Sequence, residues 1–436
     1  MKSPFFRNKL AFIVLAASCF MVFAAMGTRQ TFGMFFNFFE SDLGVSRTHF
    51  GLAIAIQALT WGIMTFFLGI LADKFGARRV SCFALLIYAF GIYSLTLPNS
   101  SGLIFILNLG VLAGIGMGGG GAQLAVGAVS KHFPNENRSK ASGLVTAFGS
   151  LGMFVFPLIS ALSMSQTSWQ NSYLILVFFL IIAAAFSLLI KLPDDTSNPN
   201  LVPDNQGALS ALKEALGHKG YIFLTLGFFV CGFQITLVAT HVPGYVIERG
   251  LEAWTGTAIL SLIGLFNIAG TLTMGYLGDK YSKKLLLSGL YFFRGITIIL
   301  FLILPASSGL AIAFGICFGF LWLATIPATN GIVAQIFGTK HITMLFGLVF
   351  FSHQIGAFLG AYLGGYFFDQ YGSYDYAWYL SIGLSLFATL MHLPIDERPL
   401  KRLATIYLYE KNYKIFVYFF CFWIFCKYRC ERKKSS

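Results

Sequence analysis

The sequence predicts an all-α membrane protein, with twelve transmembrane helices in two pseudo-symmetric six-helix bundles. Three observations predict it: a composition too poor in charge for a soluble domain, twelve apolar runs of bilayer length, and a repeat relating the first six runs to the last six. Of 436 residues, 57% are hydrophobic and only 11% charged, and mean hydropathy is +0.74. An ordinary soluble domain is about 45–50% apolar and about 25% charged. Soluble-enzyme and disordered classes are therefore excluded. The apolar runs are continuous rather than alternating, which excludes an outer-membrane barrel. The 48 Phe and 46 Gly suit lipid-facing and closely packed helices.

The twelve runs are 10–39, 48–72, 80–97, 103–130, 141–164, 168–191, 220–247, 255–278, 285–304, 310–336, 343–368 and 376–393. The first has a basic start but continues far past the apolar core of a cleaved signal, about 7–15 residues, and is expected to be retained. Between runs six and seven lies a polar stretch with Pro193, Asp194, Asp195, Pro199, Pro203 and Gly207, the composition of a linker. The organisation is thus a bundle over 1–191, a linker over 192–219 with a short interfacial helix expected at 209–216, and a second bundle over 220–398. A basic and aromatic tail follows over 399–436. Its aromatic run 415–426 is too short to span; it reads as an interfacial segment or as an end without function.

Net charge is +13, which could suggest nucleic acid, but position argues otherwise. Of the 30 Lys and Arg, only Arg47 and Arg249 fall in one set of loops, and only Arg29 and Arg294 fall within runs. All others lie in the alternate loops and at the two ends. Basic residues mark the cytoplasmic side, so both termini are expected in the cytoplasm of a cell whose plasma (inner) membrane the chain crosses. The seven Cys show no paired spacing for a disulfide or zinc site. The Gly114–Gly121 stretch lies within an apolar run with no preceding strand. It reads as helix packing rather than nucleotide binding, and no cofactor is expected.

Gly69-Ile-Leu-Ala-Asp73-Lys-Phe-Gly76-Ala-Arg78-Arg79 follows the second run. Gly275-Tyr-Leu-Gly-Asp279-Lys-Tyr-Ser-Lys283-Lys284 follows the eighth, 206 positions later. Ser142-Gly-Leu-Val-Thr and Phe346-Gly-Leu-Val-Phe repeat at an offset of 204, as do Gly152 and Gly356. A duplicated six-span half leaves such a pattern. The loop motif resembles the signature of the major facilitator superfamily, over 5–400. The resemblance implies two bundles around a central cavity and secondary transport by alternating access. It also implies a cytoplasmic gate built on Gly69, Asp73, Gly76, Arg78 and Arg79, and on Gly275, Asp279 and Lys283. The second copy departs at Ser282, where glycine is expected. Thr28-Arg29-Gln30-Thr31-Phe32-Gly33, Ala239-Thr240-His241-Val242-Pro243, Thr325-Ile-Pro327-Ala-Thr329-Asn330 and Phe351-Ser-His353-Gln354 are similar to the bacterial monocarboxylate and oxalate–formate carrier branch. That branch carries small organic anions. A drug-antiporter pattern in run five is only partly met, by Gly149, Gly152 and an off-register Pro157.

Ionisable groups inside a bilayer are the default functional candidates. Arg294 lies about ten residues from Lys284, roughly 15 Å along a helix, and Arg29 lies in the outer half of run one. Each costs at least about 2.5–3.5 kcal/mol at the bilayer centre. No Asp or Glu lies at comparable depth, so an anionic substrate is a fitting counter-ion through a two-bond fork. For Arg294 the competing reading is pairing with backbone carbonyls. His241 and His353 are the side chains that would titrate near neutral pH if protons are coupled. Gln30, Gln57, Asn267, Asn330 and Gln354 supply neutral hydrogen-bonding groups, for substrate or for joining helices. The function expected is transport of a small organic anion such as a monocarboxylate, by a monomer. The alternatives are a neutral-solute or drug exporter and, more remotely, a transport-silent sensor. Reporter fusions after Lys191 and after Arg402 should report the cytoplasm and one at Ser100 the exterior. A cytoplasmic signal at Ser100 would overturn the span count of the first half.

Overall fold

The computed structural model describes residues 9–97, 102–130, 132–133, 135–190, 207–338 and 341–402. The linker segment 191–206 and the tail beyond 402, including the aromatic run, lie outside the described residues.

Among the described residues twelve helical spans follow one another. The first comprises α1 (Lys9–Thr31), a tight turn over Phe32–Phe35 and α2 (Phe36–Leu43). The second is α3 (Arg47–Phe75) and the third α4 (Ala77–Ser94). The fourth joins α5 (Gly102–Phe105), a π-helical segment (Ile106–Leu112), α6 (Ala113–Gly120) and α7 (Ala122–Ser130). Spans five and six are α8 (Asn135–Gln166) and α9 (Trp169–Ser187). The short α10 (Ala208–Gly217) covers the segment expected to lie at the interface. Spans seven to nine are α11 (Lys219–Glu248), α12 (Ala253–Lys280) and α13 (Lys283–Ile303). The tenth is α14 (Ser308–Leu321) with α15 (Thr325–Phe337), and the last two are α16 (Ile342–Tyr371) and α17 (Asp375–His392). Among the described residues ten spans are long and apolar enough to cross a membrane. The two short of that test, α4 and α17, are long enough at 18 residues each but less apolar.

Local chemistry sets the ends. Ser46, Ser168 and Ser307 cap α3, α9 and α14, each hydroxyl accepting an N–H from the first turn. Gly44 and Gly372 close α2 and α16 in the left-handed conformation that glycine adopts without strain. Three runs that hydropathy draws as continuous are broken: the first at 32–35, the fourth at 106–112 and Gly121, the tenth at Trp322. Apolar composition reports burial in lipid, not helical continuity. Breaks are tolerated where protein surrounds them, and all three lie among buried neighbours.

Two hydrophobic cores form. One gathers residues between Ala11 and Ile190 together with Ala361, the other residues from Ala215 to Ile395 together with Met153. The halves meet where α3 packs on α16, α8 on α12, and α11 on the 32–35 turn. Within the second half, α11 and α16 approach until backbone touches backbone. Cβ atoms at Gly356 and Gly360 would run into the carbonyls of Phe229 and Phe233, and one at Gly232 into that of His353. Small residues drive such contacts in membranes, where lipid is as apolar as leucine. Gly347, on the same helix, faces open space. Gly356→Val should lower stability by about 1–3 kcal/mol through overpacking, while Gly347→Val should change it little. Thermal unfolding of both in detergent checks this; equal stability would refute the packing assignment.

Candidate functional site between the two halves

Five hydrogen bonds between described residues cross from one half to the other. At the end opposite the basic loops, hereafter the outer end, Arg47 donates to the Tyr374 hydroxyl, and the Thr48 N–H donates to Asp369 Oδ2 at 2.8 Å. Further in, Gln30 Nε2 donates to the Leu260 carbonyl at 3.3 Å. Near the midplane Gln354 Nε2 donates to the Ala58 carbonyl at 2.8 Å, and Asn267 Nδ2 to Ser150 Oγ at 2.8 Å. Gly33 sits against the Ala239 and Thr240 carbonyls, and Gly51 against that of Ala361. Towards the basic end Gly69, Gly143, Gly275 and Gly347 have open space within 4 Å. Among the described residues, the hydrogen bonds that join the halves therefore run from the outer rim to the midplane.

At the inner limit of this seam lies a mixed polar and aromatic group. Arg29 stands in the last turn of α1, its guanidinium 5.4 Å from the Trp61 ring of α3. Its Nε is buried without a hydrogen bond, and no described carboxylate lies within ion-pair distance. Trp61 Nε1 and Gln123 Oε1 are also buried and unpartnered. Both flank Gly121, where the fourth span breaks: a Cβ there would stand 3.2 Å from Gln123 Oε1 and 3.5 Å from Trp61 Nε1. Across the seam, Phe350 meets the Trp61 ring at 5.7 Å and stacks on His353 at 5.6 Å. His353 Nδ1 pairs with Gln354 Oε1 at 3.0 Å. Two donors and one acceptor, each lacking a partner, thus converge at this inner limit. Buried polar groups are nearly always satisfied, so three orphans together make this the candidate site.

The other sequence-derived candidates are dispersed. Arg294 is fully buried inside the second half. Its Nε and Nη2 donate to the Leu321 carbonyl at 3.1 and 2.6 Å, Nη2 also to the Trp322 carbonyl, and Nη1 to Gln234 Oε1 at 3.4 Å. Those carbonyls are freed by the break between α14 and α15. Gln57 donates to the Leu109 carbonyl at 3.2 Å within the first half. Asn267 also accepts from the Leu323 N–H at 2.9 Å. His241 lies high in α11, bonded to the Ala361 carbonyl at 2.8 Å and beside the Tyr374 ring, so it belongs with the outer seam. Asn330 is exposed on α15. Trp61 was not visible as a candidate from sequence, since a tryptophan in an apolar run reads as packing; Gln123 was one polar residue among many.

Gly69 and Asp73 stand near the end of α3, and the Asp73 side chain lies outside the described residues. Gly76 takes φ +88°, Arg79 and Asp279 are exposed, and Lys283 donates to Gln335 Oε1 at 2.9 Å. Where the second copy has Ser282 in place of glycine, the hydroxyl donates to Glu397 Oε2 at 2.8 Å. Glu397 Oε1 accepts the Lys284 N–H at 2.7 Å, so a carboxylate caps α13. Beside it, hydrogen bonds from Arg398 hold the Asp396 carboxyl down to about 2.

A third copy of the spacing was missed. Gly365-Tyr-Phe-Phe-Asp369-Gln-Tyr-Gly372 ends α16 at the outer side with the same Gly-x-x-x-Asp-x-x-Gly order as Gly69 to Gly76. Gly365 packs on the Arg47 carbonyl, and Asp369 accepts the Thr48 N–H at the start of α3. A carboxylate of one half thus caps a helix of the other. Arg47 lies 3.7 Å from the Phe368 ring centre and completes the seam.

Two six-span halves, hydrogen-bonded from one rim to a midplane polar group, define a membrane transporter. The chain belongs to the Major Facilitator Superfamily, whose model matches residues 18–330 and 259–426. An uncharacterized MFS-type transporter of Bacillus subtilis, YcxA, is 28% identical over 362 residues, covering 79% of this chain and 85% of that one. The hexuronate transporter of the same species is 22% identical over 370 residues, covering 81% and 87%. Monocarboxylate transporter 12 of Rattus norvegicus is 25% identical over 316 residues, covering 65% of each.

Asp369→Asn keeps the shape of the outer seam but removes the charge at the α3 N-terminus, an interaction worth about 0.3–1 kcal/mol. Ala239→Cys, facing Gly33, should then be alkylated from outside about two- to fivefold faster than in the Asp369 parent. An unchanged rate would remove Asp369 from the seam.

Proposed function

We propose that this chain carries small organic anions, monocarboxylates among them, by alternating access across the plasma membrane. The basic end then faces the cytoplasm, and the arrangement described is the inward-open state. The observation that carries the reading is Arg29: a guanidinium at the midplane of the seam with a buried, unpartnered Nε and no acidic partner. A carboxylate docking there gains Coulomb energy and a bidentate hydrogen bond, relieving a charge that is otherwise costly to bury. The Trp61 N–H is placed to share it. Two of the relatives are named for carboxylate-bearing substrates, which agrees with this chemistry.

Closure around the substrate requires the basic halves to approach. Gly69 and Gly275, now facing open space, become the contact points there, while the Asp369 and Arg47 seam opens. Asp73, Arg78, Arg79, Asp279 and Lys283 serve the inner gate as Asp369 and Arg47 serve the outer one. His353, stacked on Phe350 and bonded to Gln354, is the midplane group through which a coupled proton would pass. Gln30, Gln57, Asn267 and Arg294 act by holding helices, each through the carbonyl or hydroxyl contacts described, and His241 and Asn330 lie away from the anion.

Arg29→Lys keeps the charge but loses the fork, and should retain transport with affinity weakened about tenfold. Arg29→Gln loses both, and anion flux should fall far further at equal surface expression. Uptake of labelled organic acids into vesicles decides; normal flux through Arg29→Gln would leave the neutral-solute reading in its place.

A further inference from the structure

A cavity of about 370 Å³ lies in the second half, beside the outer seam, where the Tyr245 ring stands 6.1 Å from that of Tyr374. Its walls are the outer ends of α11 and α13 and the first two turns of α17. It opens sideways, since Ile303 and Tyr379 at its rim are 69% and 60% exposed on the surface that meets lipid. Its mouth holds both signs of charge, Arg249 and Asp375, and its inner wall is apolar, with Ile299 and Ile382. Ile382 lies seven residues along α17 from Asp375, roughly 10 Å deeper.

Neither charge is neutralised within the protein as described. Arg249 donates from Nη1 to the Tyr245 hydroxyl at 3.0 Å and to the Phe301 and Leu302 carbonyls at 3.3 Å. It donates from Nη2 to the Leu304 carbonyl at 3.1 Å. These neutral contacts fix the guanidinium over the end of α13 and leave its charge uncompensated. The Asp375 carboxylate has no hydrogen bond or ion pair with a described residue, and the two charges are not within ion-pair distance of each other.

We propose that this groove binds a phospholipid of the outer leaflet whose headgroup carries a primary ammonium. Its phosphate lies on Arg249, its ammonium donates to Asp375, and one acyl chain follows Ile299 and Ile382 into the bilayer. Charge order selects the headgroup. A phosphatidylglycerol would leave Asp375 facing a second anion. A phosphatidylcholine carries the positive charge but has no N–H to donate. A soluble zwitterion would leave the apolar wall against water.

The test is competition on the full-length protein in mild detergent. Equal amounts of phosphatidylethanolamine, phosphatidylcholine and phosphatidylglycerol are added, and retained lipid is counted by native mass spectrometry. Wild type should retain phosphatidylethanolamine about tenfold over either competitor, the scale of one charge-assisted hydrogen bond. Asp375→Asn should erase the distinction from phosphatidylcholine. Ile299→Trp fills the groove below the charges while leaving both in place, and should erase the preference without altering thermal unfolding. Equal retention of all three lipids by wild type would overturn the proposal, as would a preference that survives Ile299→Trp or Asp375→Asn.

Discussion

A cation at the midplane with no carboxylate within ion-pair distance among the described residues is the constraint on which this reading of the molecule depends. Water solvates an arginine for nothing; a bilayer core does not, and insertion alone costs about 2.5–3.5 kcal/mol at the centre. Arg294 and Arg29 meet that constraint differently. Arg294 is spread over carbonyls released by the break in the tenth span, beside Gln234, with the Tyr291 ring 5.3 Å away. It is satisfied and static. Arg29 has a tryptophan face and an unbonded Nε. The first arrangement is finished chemistry within one half, whereas the second is left incomplete at the junction of two.

That junction explains the rest of the architecture. Two cores, each drawn almost wholly from one half, can move as units, and the hydrogen bonds between described residues that join them run from the outer rim to the midplane. Hydrogen bonds such as Gln354 to Ala58 and Asn267 to Ser150 are individually modest, about 0.5–1.5 kcal/mol each. Such a seam can open and reclose. The carboxylate cap from Asp369 to the start of α3 has the same character: directional, and lost when the helices separate. Its sequence spacing repeats that of Gly69, Asp73 and Gly76.

The fold was largely legible because hydropathy and basic-residue placement are long-range averages over twenty residues at a time. They revealed the span count and the duplication, and even α10. Individual contacts were less legible. Arg29 stood out because any arginine in lipid does. Trp61 did not, because its significance lies in an unbonded indole N–H that only the fold reveals. His241 and His353 looked equivalent along their helices, yet one braces the outer seam and the other stacks at the midplane; depth within a 30-residue span depends on where the partner half touches it. The outer copy of the Gly-x-x-x-Asp-x-x-Gly spacing was readable in the sequence but hidden by its position, at the end of span eleven rather than in a basic loop.

The central claim is that Arg29 waits for a carboxylate. Thermal unfolding of the purified wild-type protein against a panel of small organic acids and their amides tests it without any substitution. Ligand that binds only the folded state stabilises it by about 2.7 kcal/mol at a hundredfold excess over Kd. At neutral pH at least one monocarboxylate should raise the unfolding temperature in a saturable way while its amide, equal in shape and uncharged, should not. An amide that stabilises as strongly as its acid would contradict it.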